Sequence, residues 1–539
     1  MIEIIKTTPF KDQKMGTAGL RKKTKIAMQE NYLENFLQSI FNTIPNLNQK
    51  SFLVGGDGRY FNKVAIQKII KIASANGVKK LYIGKDGLVS TPAGSCIILG
   101  RKLNGGFVLS ASHNPGGIDG DFGIKYANDS GGQCQPSESE AILEQTLKIS
   151  EYKISNCPDF DLSKTGTYKC EDTEIEIIDP YIDYINLMKS IFDFSKLKEL
   201  ATSSFRFVFD AMNGVTGPYA KKIFEEELGA PHGTVLNSTP LEDFGGLHPD
   251  PNLIYAKSLV DLMYSKDAPD FGAANDGDGD RNMILGKSFF VSPSDCLAVL
   301  TDNYKLIPAY KNGIYGVAKS AATSMAVKHV AEALNIGYYE VPTGWKYFIH
   351  LMDSNRISFC GEESFGTGAS HIREKDGIWA TLFWLSIIAN THKSVKEIVV
   401  EHWKKYGRNY YLRNDYEEIP QEIADKLMSD LEGSLPSLVG KEYSGYIVSD
   451  AHPFIYNDPV DKSSTKNGLI IHFTNGSRIV YRLSGTGTVG ATLRTYIERY
   501  ETKDLLEDTE KMLQDLSNIS REIADIPNRT GKTKPDIIT

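Results

Sequence analysis

FLVGGDGRYFNKVAIQKIIKIASANGVKKLYI, residues 52–83, decides how the chain folds. It opens on the apolar run Phe52-Leu53-Val54 and closes on a second, Leu81-Tyr82-Ile83. Between them Ile66, Ile69, Ile70 and Ala73 fall at i, i+3, i+4 and i+7, an apolar stripe of helical period. Gly77 follows as a helix stop. Strand, helix and strand at this spacing predict a βαβ unit with parallel strands.

The same grammar recurs along the chain. Phe205-Arg206-Phe207-Val208-Phe209 precedes a helix carrying Ala220, Ile223 and Phe224, and Thr234-Val235-Leu236 follows it. Ile314-Tyr315-Gly316-Val317 precedes a helix with Val327, Val330, Ala331 and Leu334; then come Tyr338-Tyr339-Glu340-Val341, another helix, and Ile357-Ser358-Phe359. Such units in tandem predict a repeated architecture, with helices covering mostly parallel sheets. Further on, Leu469-Ile470-Ile471-His472-Phe473 and Ile479-Val480-Tyr481 flank Asn475-Gly476, an antiparallel hairpin signal. With helices near residues 397–403, 422–431 and 505–519, this region reads as an α+β domain. The tail from Ile526, with Pro527, Gly531 and Pro535, reads as irregular. The expected fold class is α/β: three similar mixed or parallel-sheet α/β domains in tandem plus a C-terminal α+β domain, around a central cleft. Boundaries are expected at 1–190, 191–300, 301–402 and 403–539.

A chain of 539 residues, 41% hydrophobic and 24% charged, has the composition of a soluble multi-domain protein. A net charge of -8 argues against nucleic-acid or membrane-surface roles. Cys96, Cys134, Cys157, Cys170, Cys296 and Cys360 show no CxxC pair and are too few for a disulfide framework. A reducing, cytoplasmic compartment is the simple reading. Met1-Ile2-Glu3-Ile4-Ile5-Lys6 lacks the basic flank and apolar stretch of a signal peptide. Residues 378–389, the most apolar stretch, are too short to span a bilayer and read as a buried helix.

Chemistry concentrates in a few loops. Ser110-Ala111-Ser112-His113-Asn114-Pro115-Gly116-Gly117 follows the apolar run Phe107-Val108-Leu109, which presents a hydroxyl at the tip of a strand. Taken alone, the run is equally a solvated turn. Asp276-Gly277-Asp278-Gly279-Asp280 packs carboxylates that repel by roughly a few kcal/mol per pair at intermediate dielectric. Its glycines let the loop curl until the oxygens face one point, where a hard divalent cation is the natural counter-charge; the alternative is an acidic turn. An EF-hand is excluded, because Arg281 and Lys287 stand where that loop wants Gly and Glu. Mg²⁺ takes few protein ligands and commonly shares its shell with phosphate oxygens, so the loop asks for a phosphate partner. A phosphorylated Ser112 would supply one.

Arg482-Leu483-Ser484-Gly485-Thr486-Gly487-Thr488-Val489-Gly490 contains a formal GxGxxG. The strand before it belongs to an antiparallel hairpin, which argues against a dinucleotide site. Ser484, Thr486 and backbone N–H groups, with Arg482 and Arg494, suit a phosphate, while the plainer reading is a glycine-rich hairpin exit. Thr343-Gly344-Trp345-Lys346 and Gly361-Glu362-Glu363-Ser364-Phe365-Gly366 follow strands and offer acceptors suited to sugar hydroxyls, or are exposed loops. Lys375, in isolation, reads as a surface charge.

Together and in this order, these loops resemble the α-D-phosphohexomutase superfamily, most closely its eukaryotic phosphoglucomutase branch. The resemblance runs from Gly16-Thr17-Ala18-Gly19-Leu20-Arg21 to Arg529-Thr530-Gly531, and residues 361–366 point to a glucose phosphate over mannose and glucosamine phosphates. It implies an intramolecular phosphotransferase that interconverts glucose 1-phosphate and glucose 6-phosphate through a phosphoserine at Ser112. Glucose 1,6-bisphosphate would be both intermediate and activator. The resemblance implies Mg²⁺ on Asp276, Asp278, Asp280 and phosphorylated Ser112, and catalytic roles for Ser112, His113, Arg21, Lys125 and Lys375. It implies substrate contacts from Arg21, Ser112, Arg281, Thr343, Glu362, Ser364, Lys375, Arg482, Ser484, Thr486 and Arg494. The implied partner is a small hexose phosphate, with no nucleic acid or membrane, and the implied state is a monomer or weak dimer.

Two residues depart from the family pattern. Ser110 stands where Thr is commoner and keeps the hydroxyl. Lys319 stands where close relatives carry Arg, keeping the charge but losing the bidentate fork. Two alternatives accompany this reading. A non-catalytic scaffold or secretion-associated relative would show erosion at Ser112 or the Asp loop, and neither is eroded. The other is a mutase for another hexose phosphate, such as mannose phosphate.

Overall fold

Phe52, Leu53 and Val54 are wholly buried because their strand, Ser51–Gly56, runs between two parallel neighbours, Lys80–Leu88 and Gly105–Leu109. A strand covered on both faces must be apolar throughout rather than alternating. The helix Asn62–Ala75 lays Ile66, Ile69, Ile70 and Ala73 onto the core that holds Phe52, Val54, Leu81 and Ile83. It stops where Gly77 takes a φ of 75°, the left-handed turn that glycine enters without strain. The computed structural model describes residues 1–16, 19–484 and 490–539.

Two compact units form. The first comprises Met1–Pro293, Asn303–Ile314 and Ser364–Lys396; the second comprises Ser294–Asp302, Tyr315–Glu363 and Glu397–Thr539. In the first, a seven-stranded mixed sheet runs Leu20–Lys23, Asp121–Asn128, Gly105–Leu109, Ser51–Gly56, Lys80–Leu88, Thr173–Ile178, Gly166–Cys170. Its inner four strands are parallel, and antiparallel strands close both sides. Phe107 packs against Phe41, Phe52 and Tyr126, which fixes the strand that ends just before Ser110. A five-stranded sheet repeats the plan: Val235–Leu236, Phe207–Asp210, Phe271–Asn275, Asn282–Gly286, Phe289–Val291. The helix Gly377–Thr391 is buried along nearly its whole length. Among the described residues, no helix is long and apolar enough to cross a membrane.

In the second unit, Gly316–Ser320 pairs in parallel with both Gly337–Val341 and Phe359–Glu362. The last of these strands starts where the apolar run 357–359 ends rather than on it. A seven-stranded sheet contains the expected hairpin, with Leu469 opposite Tyr481 and Gly476 at φ 83°. Leu469, Ile471, Phe473, Ile479 and Tyr481 face a core shared with the helices Gln421–Leu438 and Thr509–Ile523. Ile470, Val480 and Tyr496 pack on the other face with Ala322. The last long helix begins at Thr509 and not near Leu505, because Asp508 caps it through the N–H of Lys511.

Two expectations are corrected. The tail from Ile526 is not irregular: Ile526–Thr530 is a short helix with Pro527 in its first turn, and Ile537–Ile538 pairs with the strand Arg408–Ile419. Cys157 and Cys170 form a disulfide, where the sequence reading expects none. The hairpin of Gly166–Cys170 and Thr173–Ile178 brings its turn back beside the loop that follows Glu151–Ser155, a proximity that residue spacing does not encode. Thiol titration of the denatured, unreduced protein should find four reactive cysteines of the six; six would exclude the pairing.

Candidate active site

Ser112 is held in a conformation its own chemistry disfavours. Its φ is 54°, in the left-handed region that costs a non-glycine residue about 1 kcal/mol or more. Its N–H donates to Ser110 Oγ at 2.7 Å, and its carbonyl accepts from Arg59 Nη2 at 2.8 Å. Ser110 Oγ donates to Asp57 Oδ2 at 2.6 Å, and Arg59 Nε donates to the same oxygen at 2.8 Å. Arg59 Nη1 also holds the carbonyl of Asp121 at 2.7 Å, and Asn62 ties Asp57 to the carbonyl of Leu109. Thus the hydroxyl at position 110 is structural, and Ser meets that need.

The loop between Phe271–Asn275 and Asn282–Gly286 closes over Ser112. A Cβ on Gly277 would lie 2.9 Å from the Ser112 carbonyl, so this approach requires glycine. Ser112 Oγ donates to Asp276 Oδ2 at 2.7 Å, and His113 Nδ1 lies 3.4 Å from Oγ. Asp278 Oδ2 accepts from Thr91 Oγ1 and from Lys125 Nζ, each at 2.5 Å. Lys125 also reaches Asp280 at 3.4 Å, and Lys375 Nζ lies 3.0 Å from Asp280 Oδ1. Lys375 is therefore no surface charge: its side chain is 12% exposed. Arg21, on the strand Leu20–Lys23, stands opposite Gly123, and Asp278 and Asp280 act on its charge. Arg281 pairs with Asp250 at 3.0 Å. Ser364 is half-buried beside Phe365, whose carbonyl accepts the N–H of Asn282 at 2.8 Å.

The carboxylates are driven apart in acidity. Burial, then Asp280 and Asp278, pushes Asp276 well above the usual carboxylate range. Burial acts the same way on Asp278, but Lys125 and Thr91 overcome it and hold that carboxyl low. Burial opposes the charge on Lys125, yet Asp278 and Asp280 raise its affinity for the proton. Burial, Arg281 and Arg21 keep His113 well below its ordinary value, so its ring is neutral near pH 7. Burial likewise pushes Glu374 up to about 7, against the pull of Lys125.

A divalent cation fits these residues. Asp276, Asp278 and Asp280 each offer an oxygen, and these atoms lie within 4.8 Å of one another. Asp278 Oδ1 is buried without a hydrogen-bond partner, a loss that a coordinated cation would remove. An all-oxygen anionic donor set selects a hard ion.

The second unit carries the other predicted residues. The buried Gly344 N–H donates to Glu362 Oε1 at 3.0 Å, which joins the Thr343 loop to the end of Phe359–Glu362. Arg482 and Arg494 stand directly opposite on antiparallel strands, a like-charge pairing that is unfavourable without an anion nearby. Asp415 partly answers it, at 3.4 Å from Arg494 and 2.9 Å from Arg413. Ser484 ends the same strand and is buried. Thr486 lies outside the described residues. Lys319 is wholly buried, 3.1 Å from Glu340, and burial with Arg478 pushes its amine down to about 8.

Sequence reasoning missed Asp57, Arg59, Thr91, Glu374 and Arg413. Asp57 and Arg59 flank Gly58 directly after a buried strand, a signal comparable to the one that marked the Asp loop. Replacing Ser110 by Ala removes the acceptor for the Ser112 N–H and a donor to buried Asp57. Ser110→Ala should therefore lose about 1–3 kcal/mol in chemical denaturation; unchanged stability would show that these bonds do not restrain the loop.

The comparisons agree with one another. Models described as phosphoglucomutase/phosphomannomutase α/β/α domains I, II and III match residues 12–153, 179–288 and 292–406. The phosphoglucomutase-1 C-terminal domain model matches residues 408–536. The phosphoglucomutase of Rhizobium radiobacter is 52% identical over 542 residues, covering 100% of both chains. Phosphoglucomutase-1 of Homo sapiens is 51% identical over 563 residues, again covering 100% of both. The solved open form of pp63/parafusin, a phosphoglucomutase from Paramecium, superposes with a TM-score of 0.94 at 45% identity, covering 100% of this chain and 99% of that one.

Proposed function

Because the chain belongs to the phosphoglucomutase/phosphomannomutase family, we propose that it interconverts glucose 1-phosphate and glucose 6-phosphate with Ser112 as phosphoryl carrier. One observation carries the assignment of roles. The Ser112 hydroxyl, the triad carboxylates and the amines of Lys125 and Lys375 converge while the serine backbone is held from both sides.

In the proposed cycle a hydroxyl of the hexose phosphate attacks the phosphoryl group of phosphorylated Ser112. The new bond joins phosphorus to the sugar oxygen, the bond to Ser112 Oγ breaks, and the hydroxyl proton ends on Oγ. Glucose 1,6-bisphosphate results. Reorientation and the reverse step return the other phosphoryl group to Ser112 and release the isomer. Such transfer depends on positioning and on charge stabilisation more than on covalent chemistry. Arg21, Lys125 and Lys375 supply cationic groups for the transferring oxygens. Asp276, Asp278 and Asp280 would hold Mg²⁺, which neutralises phosphoryl charge when bound.

Thr343, Glu362 and Ser364 are proposed to accept from sugar hydroxyls. Arg281, Arg482, Ser484, Thr486 and Arg494 are proposed to hold the phosphates, and His113 to support phosphoryl transfer at the neighbouring serine. Division at 1–190, 191–300, 301–402 and 403–539, a cytoplasmic location and a monomeric or weakly dimeric state belong to the same proposal.

A coupled assay of glucose 6-phosphate formation, with Mg²⁺ and catalytic glucose 1,6-bisphosphate, tests the reading. Ser112→Ala should lose turnover by on the order of a thousandfold or more with its melting temperature retained; near-normal activity would end the assignment. Asp278→Asn should abolish Mg²⁺ binding by calorimetry, and unchanged binding would remove the triad from the metal site. Faster turnover of mannose 1-phosphate would favour the other hexose.

A further inference from the structure

Lys375 reaches the acidic loop from a segment whose anchorage lies in the next residue. Asp376 is wholly buried. Its Oδ1 accepts the Trp379 N–H at 3.1 Å, which caps the helix Gly377–Thr391. The same oxygen accepts the hydroxyl of Tyr184 at 2.5 Å, and Oδ2 faces His371 Nε2 at 3.0 Å. Capping needs only the first of these bonds. Tyr184 comes from a distant helix, Ile182–Ile191, and its contact is surplus to helix formation. Burial and Asp376 hold the Tyr184 hydroxyl protonated, so it acts as a donor.

The backbone beside Asp376 is fixed to the chemistry. Gly377 N–H donates to the carbonyl of Gly279 at 3.1 Å, inside the acidic loop, and Asp376 N–H donates to Thr367 at 2.9 Å. A Cβ on Gly377 would sit 2.2 Å from Asn275 Nδ2 and 2.5 Å from the Arg281 carbonyl. On the other side, the Arg373 N–H donates to Ser95 Oγ at 2.9 Å, on the helix Thr91–Gly100 whose Thr91 holds Asp278. The Tyr184 ring packs edge-on against Tyr219, whose hydroxyl accepts the Ser90 N–H at that helix's cap. Lys375 is thus suspended between two elements already committed to the triad, with Asp376 as the pin.

We infer that Tyr184 and Asp376 are positioning residues for Lys375, setting its amine at the acidic loop through the hydroxyl–carboxylate bond between them. The inference rests on the phosphotransferase reading above. Neither residue touches the reacting atoms; both act through the lysine. A displacement of about 1 Å at a catalytic group costs on the order of a hundredfold in rate, so a single near-isosteric change is enough to test it.

The experiment is a double-mutant cycle on the full chain with Tyr184→Phe, Lys375→Ala and both together. It reads kcat and KM for glucose 1-phosphate at saturating glucose 1,6-bisphosphate, alongside melting temperature. Tyr184→Phe should lower kcat/KM about tenfold or more, and adding it to Lys375→Ala should produce no further loss. Wild-type kcat/KM in Tyr184→Phe, or losses that multiply in the double variant, would overturn the inference and leave Tyr184 a structural residue. If Tyr184→Phe fails to fold, Asp376→Ser, which keeps a capping oxygen for the Trp379 N–H but withdraws the carboxylate from Tyr184, goes through the same cycle with the same outcomes. A wild-type chain without mutase activity would overturn the functional reading and this inference with it. An active wild type whose losses multiply overturns this inference alone.

Discussion

Arg59 and Asp57 lie 2.8 Å apart, both sealed from solvent beneath the loop that carries Ser112. Taking two charges out of water is unfavourable unless every remaining donor and acceptor finds a partner. Here they do: the guanidinium also holds the carbonyls of Ser112 and Asp121, and the carboxylate takes Ser110 and Asn62. The centre of the Phe244 ring lies 5.1 Å from the guanidinium carbon, and the ring shields it. The pair therefore does more than stabilise the core. It grips the carbonyl of a serine whose left-handed backbone would otherwise relax, and through Ser110 it grips the N–H as well. Losing either partner would strand a buried charge, at a cost of about 3–5 kcal/mol. That is several times the strain it restrains.

A serine fixed in this way gives the acidic loop a defined target. Three carboxylates within a few ångströms would repel one another by about 4 kcal/mol per close pair at an intermediate dielectric. The structure answers with amines from separate elements, Lys125 from the antiparallel strand Asp121–Asn128 and Lys375 from the segment preceding a buried helix. Asp278 is consequently held ionised while Asp276 resists ionisation beside the serine hydroxyl. Acidities perturbed in this way cluster at functional sites. The arginine pair Arg482 and Arg494 poses the converse problem, cation against cation, which Asp415 answers in part.

The repeat explains why the functional loops were legible. In each α/β repeat a first strand pairs in parallel with a second and a third, and the chemistry leaves the end of the third. Gly105–Leu109 leads to Ser112, Phe271–Asn275 to Asp276, and Phe359–Glu362 ends in Glu362 itself. Ligands gather at the carboxyl ends of strands in such sheets, and the loops there carry unusual glycine and acid content that a reader of sequence can see. What stayed hidden acts across long separations. Asp57 meets Ser110, Thr91 meets Asp278, and Tyr184 meets Asp376, none of them marked by local periodicity. Lys375 looked exposed because its own neighbours are charged; only tertiary packing buries it. The ordered tail was hidden for the same reason, since it depends on a strand returning to a distant edge, whereas the disulfide joins cysteines only 13 residues apart whose approach is set by the hairpin that carries Cys170.

The central claim is that the restrained hydroxyl of Ser112 carries the phosphoryl group between the two ends of the sugar. Incubating the wild-type chain with glucose 1,6-bisphosphate labelled in its phosphates, then mapping the label by peptide mass spectrometry, addresses it directly. The account predicts one phosphoryl group per chain, on the peptide containing Ser112, that chases off when unlabelled glucose 1-phosphate is added. Label on another residue, or label on Ser112 that does not chase, would contradict it.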